Sequence, residues 1–167
     1  ATGHDGSSTP SYPAGDRGGV GVSNTDQNDA LNATSNFGQD VFIGAPGTDI
    51  LTTTAGGGYS SVTGTSASAA EVAAAAALAK AVDPSASNGV IVGRLARTAD
   101  AVGTADQTGN GRLNLARAIA DTSTDAVVPA GAPGGGPLVG PYVTAARNFT
   151  FTFAGTGGGS VTITPNS

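Results

Sequence analysis

Residues 66–81 read Ser-Ala-Ser-Ala-Ala-Glu-Val-Ala-Ala-Ala-Ala-Ala-Leu-Ala-Lys-Ala, and few backbone states other than an α-helix suit such a run. Alanine loses no side-chain entropy on entering a helix, no Gly or Pro interrupts the segment, and Pro84 closes it. Side chains this small let a neighbouring backbone come close. Because the run is apolar on nearly every side, it is expected to be buried on most of its faces. Its longest apolar stretch, Val72 to Ala79, is far below the ~20 residues that cross a bilayer.

The other elements arrange themselves around this helix. Gly19 to Ser23 and Val41 to Gly44 are short buried-strand candidates, and Pro46-Gly47 breaks the chain after the second. Residues 50–54 and 59–63 are β-prone and flank Gly56-Gly57-Gly58, which predicts a hairpin with a loose tip. A second helix is expected over Asn88 to Thr98, with Val90, Ile91 and Leu95 on one face and Arg94 and Arg97 towards water. A third is expected over Leu113 to Ala120. Residues 122–140 are rich in Pro and Gly and read as a linker. Beyond them, Asn148 to Phe153 and Ser160 to Thr164 each alternate apolar with polar residues, which predicts a β-hairpin within 141–167. The pattern is an α/β domain over 1–121, a linker, and the start of a β-rich module similar to the divergent β-repeats of bacterial surface proteins.

Composition narrows the functional classes. Only seven Lys and Arg are present, scattered along a chain of net charge −5, so no phosphate-binding surface and no nucleic-acid partner are expected. Cysteine is absent, which excludes disulfides and thiolate metal sites. The acidic, Lys-poor, Ser/Thr/Asn/Gly-rich make-up is common among secreted bacterial proteins, and a secreted or cell-surface location is expected. The first residues read like the interior of a domain, so the chain is expected to begin partway through a longer product.

Ser66 opens the alanine helix. Backbone N–H groups at a helix N-terminus are unpaired and the dipole there is positive, so negative charge developing near a serine at that position is stabilised. An ordinary N-cap would look the same in isolation. The surrounding segments separate the two. Gly64-Thr65-Ser66-Ala67-Ser68 followed by Val72-Ala73 resembles the nucleophile motif of the subtilisin-like serine peptidases, the subtilases. Ser35-Asn36-Phe37-Gly38, Asp40-Val41, Ala45-Pro46-Gly47 and Gly57-Gly58-Tyr59 resemble upstream segments of that family. Gly3-His4-Asp5-Gly6 with Tyr12-Pro13-Ala14 resembles the stretch around its oxyanion-hole Asn, and Gly109 to Asn114 the segment that opens its last helix. Five segments agree in order and spacing over roughly residues 1–121.

The resemblance implies a partial subtilase-type parallel sheet with helices on both faces, and peptide-bond hydrolysis by acyl transfer. It implies that Ser66 is the nucleophile, that Thr65 supports the oxyanion site, and that His4 occupies the oxyanion-hole position. It also marks departures. The family's Asp and His lie N-terminal to the oxyanion position and are not in this chain, whose one histidine is His4. A serine hydroxyl without a neighbouring base is a poor nucleophile, so the isolated chain is expected to be inactive. Ala70-Glu71 stands where the family has Pro-His, and Glu71, about 140° around the helix from Ser66, is expected to face a polar neighbour rather than act as base.

Asp106 to Asn110 superficially resembles a calcium loop, but Arg117 stands where the bidentate Glu belongs. The turn at Tyr12-Pro13-Ala14 resembles one at which subtilases bind a cation, yet no carboxylate cluster accompanies it, so no metal or cofactor is assigned. Expected partners are a peptide or protein substrate and the complementary half of the domain. An incomplete sheet would leave strand edges and apolar helix faces open, favouring that half, an oligomer or a fibre. The alternative is a non-catalytic secreted structural or adhesive protein that assembles through those surfaces.

Overall fold

The computed structural model describes residues 1–16, 18–126, 149–152 and 160–163. Two short strands, β1 (Val22–Thr25) and β2 (Ile43–Pro46), pair in parallel with Val22 opposite Ile43 and Thr25 opposite Pro46. They begin three and two residues later than the expected strands at Gly19 and Val41. The reason lies at Gly21, where an added Cβ would stand 1.7 Å from the Asp40 carbonyl oxygen. The two chains meet there too closely for a regular ladder, and the Gly21 carbonyl accepts from both Phe42 and Ile43 N–H.

The flanks of this small sheet are largely taken. Thr2 N–H donates to the Val22 carbonyl and Asn32 N–H to the Asn24 carbonyl on one side. On the other, Asn110 N–H donates to Phe42, Gly44 N–H to Gly111, and Leu113 N–H to Gly44. The open strand edges expected of a partial sheet are therefore mostly covered within the described residues. What stays open is a helix face.

That helix is α1 (Thr65–Val82), 18 residues long, beginning one residue before the predicted start. It buries a single stripe, Thr65, Ser68, Val72, Ala75 and Ala79, whose last member packs with Ala86, Val90 and Ile91. Val72 and Ala75 meet Val22, Phe42, Ile43 and Ala45, together with Leu95, Ala96 and Ala118 from other helices. The opposite face, with Ala70, Ala73, Ala77 and Leu78, is exposed. Burial on most faces is thus not reached in this chain, although the composition of the helix suits it.

Strands β3 (Ile50–Thr53) and β4 (Tyr59–Val62) form the predicted antiparallel hairpin, closed at its tip by a Thr54 N–H bond to the Gly58 carbonyl. Leu51 and Tyr59 are more than two-thirds exposed on it. Helix α2 (Asn88–Arg97) is capped by Ser87 Oγ, which accepts from Val90 N–H at 3.3 Å. Its Val90, Ile91 and Leu95 are buried as expected, but Arg94 is buried as well rather than facing water. The turn after α1 brings Asp83 round to Arg94, 2.7 Å away, and a paired guanidinium can go where a bare one cannot. Hydrogen bonds from Ser85 and Arg94 hold the Asp83 carboxyl at about 2.

A four-residue helix, α3 (Ala105–Thr108), lies where only a connecting loop was expected. It is set by a capping box in which Thr104 and Gln107 satisfy each other's backbone N–H groups. Helix α4 (Leu115–Ala120) follows, with Asn114 Oδ1 accepting from Arg117 N–H at 3.1 Å as N-cap. Asp100 anchors this corner by accepting from Arg112, Asn114 and Arg117, and these bonds lower its carboxyl pKa. The C-terminal hairpin forms as β5 (Phe149–Thr152) and β6 (Ser160–Ile163), antiparallel with Phe151 opposite Val161. The expected linker lies, beyond residue 126, outside the described residues.

Candidate active site

Gly64 caps α1, so Thr65 and Ser66 are its first two helical residues. Ala67 N–H bonds back to the Gly64 carbonyl, while the Ser66 side chain stands exposed at the helix mouth. The position of this turn is fixed by contact on the inner side. Ser68 Oγ donates to the Ala45 carbonyl at 3.0 Å, and Gly64 N–H donates to the Gly47 carbonyl at 2.8 Å. Gly47 is required here, because an added Cβ would stand 2.1 Å from Ser68 Oγ and 2.7 Å from Asn24 Oδ1.

A cavity of about 690 Å³ opens between the start of α1 and the β3–β4 hairpin, and His4 and Ser66 both line it. The two residues are 62 positions apart in sequence. What joins them is Thr65. Its hydroxyl is buried, accepts from Gly3 N–H at 3.2 Å and donates to the Gly3 carbonyl at the same distance. Thr65 therefore does not line the cavity. It ties the segment carrying His4 to the helix that presents Ser66.

Asn36 holds the same segment from the other side. Its Oδ1 accepts from Asp5 N–H at 2.8 Å and Ser7 N–H at 3.3 Å, and its own N–H donates to the Gly3 carbonyl. Gly3 has φ +108° and an added Cβ would fall 2.5 Å from Asn36 Nδ2, so only glycine fits between them. The Ser-Asn-aromatic-Gly segment was legible as a family likeness, but its task of bracing the His4 loop was not.

Glu71 lines the same cavity as Ser66 and His4, whose other polar side chains are Thr52 and Thr63. The helix face covering this wall runs from Ser66 through Ala67, Ala70 and Ala74 to Glu71, so a separation of about 140° places the two at opposite edges of one wall. Burial in these apolar surroundings raises the Glu71 carboxyl pKa. Its carboxylate makes no hydrogen bond or ion pair among the described residues.

Among the described residues no group of three or more acidic or imidazole side chains converges as a metal site would need. The buried carboxylate near the Tyr12-Pro13-Ala14 turn is Asp40, which sequence alone did not connect with it. Its Oδ2 accepts from Ser11 N–H at 3.4 Å, and its Oδ1 has no partner. That orphaned oxygen is where a small cation at this turn would meet the chain, through Asp40, and none of the chemistry below depends on it.

Comparison with known proteins agrees with this geometry. The profile of the subtilase family matches residues 1–120. Subtilisin BL of Lederbergia lenta is 39% identical over 114 residues, covering 68% of this chain and 42% of that protein. Thermitase of Thermoactinomyces vulgaris is 37% identical over 120 residues, covering 71% of this chain and 42% of its own length. Among solved structures, a protease of Pseudoalteromonas arctica superposes with a TM-score of 0.67 at 28% identity, over 71% of this chain and 40% of that one. The prenylagaramide maturation protease gives 0.62 at 27% identity, over 71% of this chain and 48% of that one. The chain thus spans less than half the length of these relatives. No described helix is long and apolar enough to cross a membrane. With the family's motifs in order and its serine at the helix mouth, this chain belongs to the subtilase family of serine peptidases.

Proposed function

We propose that residues 1–121 are the nucleophile-bearing part of a secreted serine endopeptidase in which Ser66 attacks the scissile peptide carbonyl. The observation that carries this is the exposed Ser66 at the mouth of α1, sharing one cavity with His4. In the reaction Ser66 Oγ bonds to the carbonyl carbon as its proton passes to a base, and the carbonyl oxygen becomes an oxyanion. The first-turn N–H groups of α1 and the His4 imidazole N–H donate to that oxygen. Collapse expels the amine, which takes the proton from the base, and water hydrolyses the acyl-enzyme by the same route. The base and the acid that orients it come from the remainder of the complete protein, since the relatives are more than twice as long as the matched segment. Thr65 supports the oxyanion site indirectly, by holding Gly3.

In the complete protein a fluorophosphonate probe is expected to label Ser66, and labelling should vanish in Ser66→Ala. The isolated chain should label slowly or not at all, having no base. Labelling of another serine in the complete protein would overturn the assignment. His4→Ala should cost about 10²–10³ in kcat with KM little changed, as loss of one oxyanion donor does elsewhere. An unchanged kcat would remove His4 from the site.

A second reading has one observation in its favour. Leu51, Tyr59, Leu78 and Val82 expose apolar surface along α1 and the hairpin, as a secreted structural or adhesive protein forming oligomers or fibres would. On that reading residues 141–167, taken as the start of a β-rich module, add to assembly, and the complete protein leaves the probe unreacted.

A further inference from the structure

Glu71 is the only glutamate in 167 residues, and it shares a cavity with the only histidine and with Ser66. It also borders a second, adjoining cavity of about 280 Å³ lined by Pro46, Leu78, Leu113 and Leu115. The carboxylate therefore stands on the ridge between two apolar hollows, half-buried and unpaired. A charge so placed is unfavourable unless a counter-charge joins it.

Every described Lys and Arg of this chain is engaged elsewhere. Lys80 is held by the Pro84 and Ala86 carbonyls, Arg94 by Asp83, and Arg97 by Asp121. Arg112 and Arg117 both bind Asp100. The larger cavity lies in the usual range for an occupied site (~300–1,000 Å³), and its helical wall is made of alanines that admit a close neighbour. Polypeptide to fill it exists in the relatives, of which this chain spans 42%.

We propose that Glu71 is the receptor for a cationic side chain (Lys, Arg or His) carried by the part of the protein that closes over α1 and completes the site. This rests on the peptidase reading only in assuming that such a part exists. Ser66 and Glu71 lie about 7.5 Å apart along the helix axis. One covering segment can therefore bring a base to the first and a cation to the second. Glu71 is a positioning residue here: it fixes the register of that segment and takes no part in bond-making. Among the described residues, His4 is the only other titratable side chain lining the larger cavity, and the hairpin contributes Ile50, Thr52, Val62 and Thr63.

The single glutamate makes the test direct, because ¹³C-labelling of Glu gives one side-chain carboxyl resonance for residues 1–167. In the isolated chain it should titrate above the ordinary glutamate value. In the complete protein, where labelling is read against Glu71→Gln to identify the signal, it should titrate below the ordinary glutamate value, as an opposite charge at contact produces. In the isolated chain n-butylammonium should lower the midpoint and n-butanol should not. A carboxyl that stays elevated in the complete protein overturns the proposal. So does one already depressed in the isolated chain, or an equal response to both probes. A second readout needs only the complete protein. Glu71→Gln should lower its melting temperature at pH 7. Because the paired carboxyl has a depressed folded pKa, its contribution is present above the unfolded value and is lost as pH falls through the folded one. The difference between wild type and Glu71→Gln should therefore close in acid. A Gln variant as stable as wild type at pH 7 overturns the proposal. Neither readout involves peptide cleavage, so failure of Ser66 as nucleophile would leave the result standing, and the reverse holds.

Discussion

Ser66→Ala in the complete protein is expected to lower kcat by about 10⁶-fold while leaving KM within a few-fold, a magnitude taken from subtilisin, the family's own archetype, rather than derived from this chain. On the proposed mechanism the serine supplies the ester oxygen of the acyl-enzyme, and among the described residues no other hydroxyl lining the cavity stands at the start of a helix. The substitution is structurally mild. Gly64 caps α1, no side chain forms a cap hydrogen bond, and alanine is favoured within the helix. Thermal melting of the variant should match wild type, so a lost rate reports chemistry rather than folding. Retention of even a hundredth of the activity would assign the nucleophile elsewhere.

Phe42→Ala is expected to destabilise the domain by about 3–5 kcal/mol, the usual cost of truncating a fully buried aromatic. Phe42 has no exposed surface, and it is the largest side chain in a core otherwise built from Val, Ile, Leu and Ala. With so few large residues around it, no neighbour is long enough to swing into the space. Its carbonyl also accepts from Asn110 N–H and Nδ2, both at 2.9 Å, so the segment that flanks β2 is disturbed with it. A natural domain has only about 5–15 kcal/mol to lose. Urea unfolding of the variant and wild type measures the difference, and a loss under about 1 kcal/mol would mean that the core packs otherwise.

Local signals were legible where one residue type decides the outcome. The alanine run fixed α1 to within a residue at each end, and the triple glycine placed the β3–β4 turn. Features that depend on distant residues were not legible. Thr65 reads as part of the nucleophile motif, yet its hydroxyl is spent on Gly3, 62 positions away. Arg94 carries the periodicity of a solvent-facing residue, and only the turn after α1 reveals Asp83 beside it. Helix α3 was missed because its capping box is not followed by an apolar run, so nothing periodic marks it. That Glu71 shares a cavity with Ser66 was not legible for a geometric reason: angular separation on a helix says nothing about how wide a wall the surrounding elements will make of it.

The clasp between Asn110 and Phe42 also bears on how this protein ages. An Asn-Gly pair in a loose chain closes to a succinimide when the glycine nitrogen attacks the asparagine side chain, and the amide is lost. Here Gly111 N–H is donated to the Thr108 carbonyl at 2.9 Å, while the Asn110 side-chain amide is donated to Phe42. Attacker and target are each held by a different partner, so the fold shields this pair, whereas the chain's other Asn-Gly, Asn88-Gly89, has its asparagine exposed. Chemical lifetime is thereby tied to conformational lifetime. Each excursion that frees residues 108–111 exposes the pair, and a damaged Asn110 would return without the amide that secures the edge of β2.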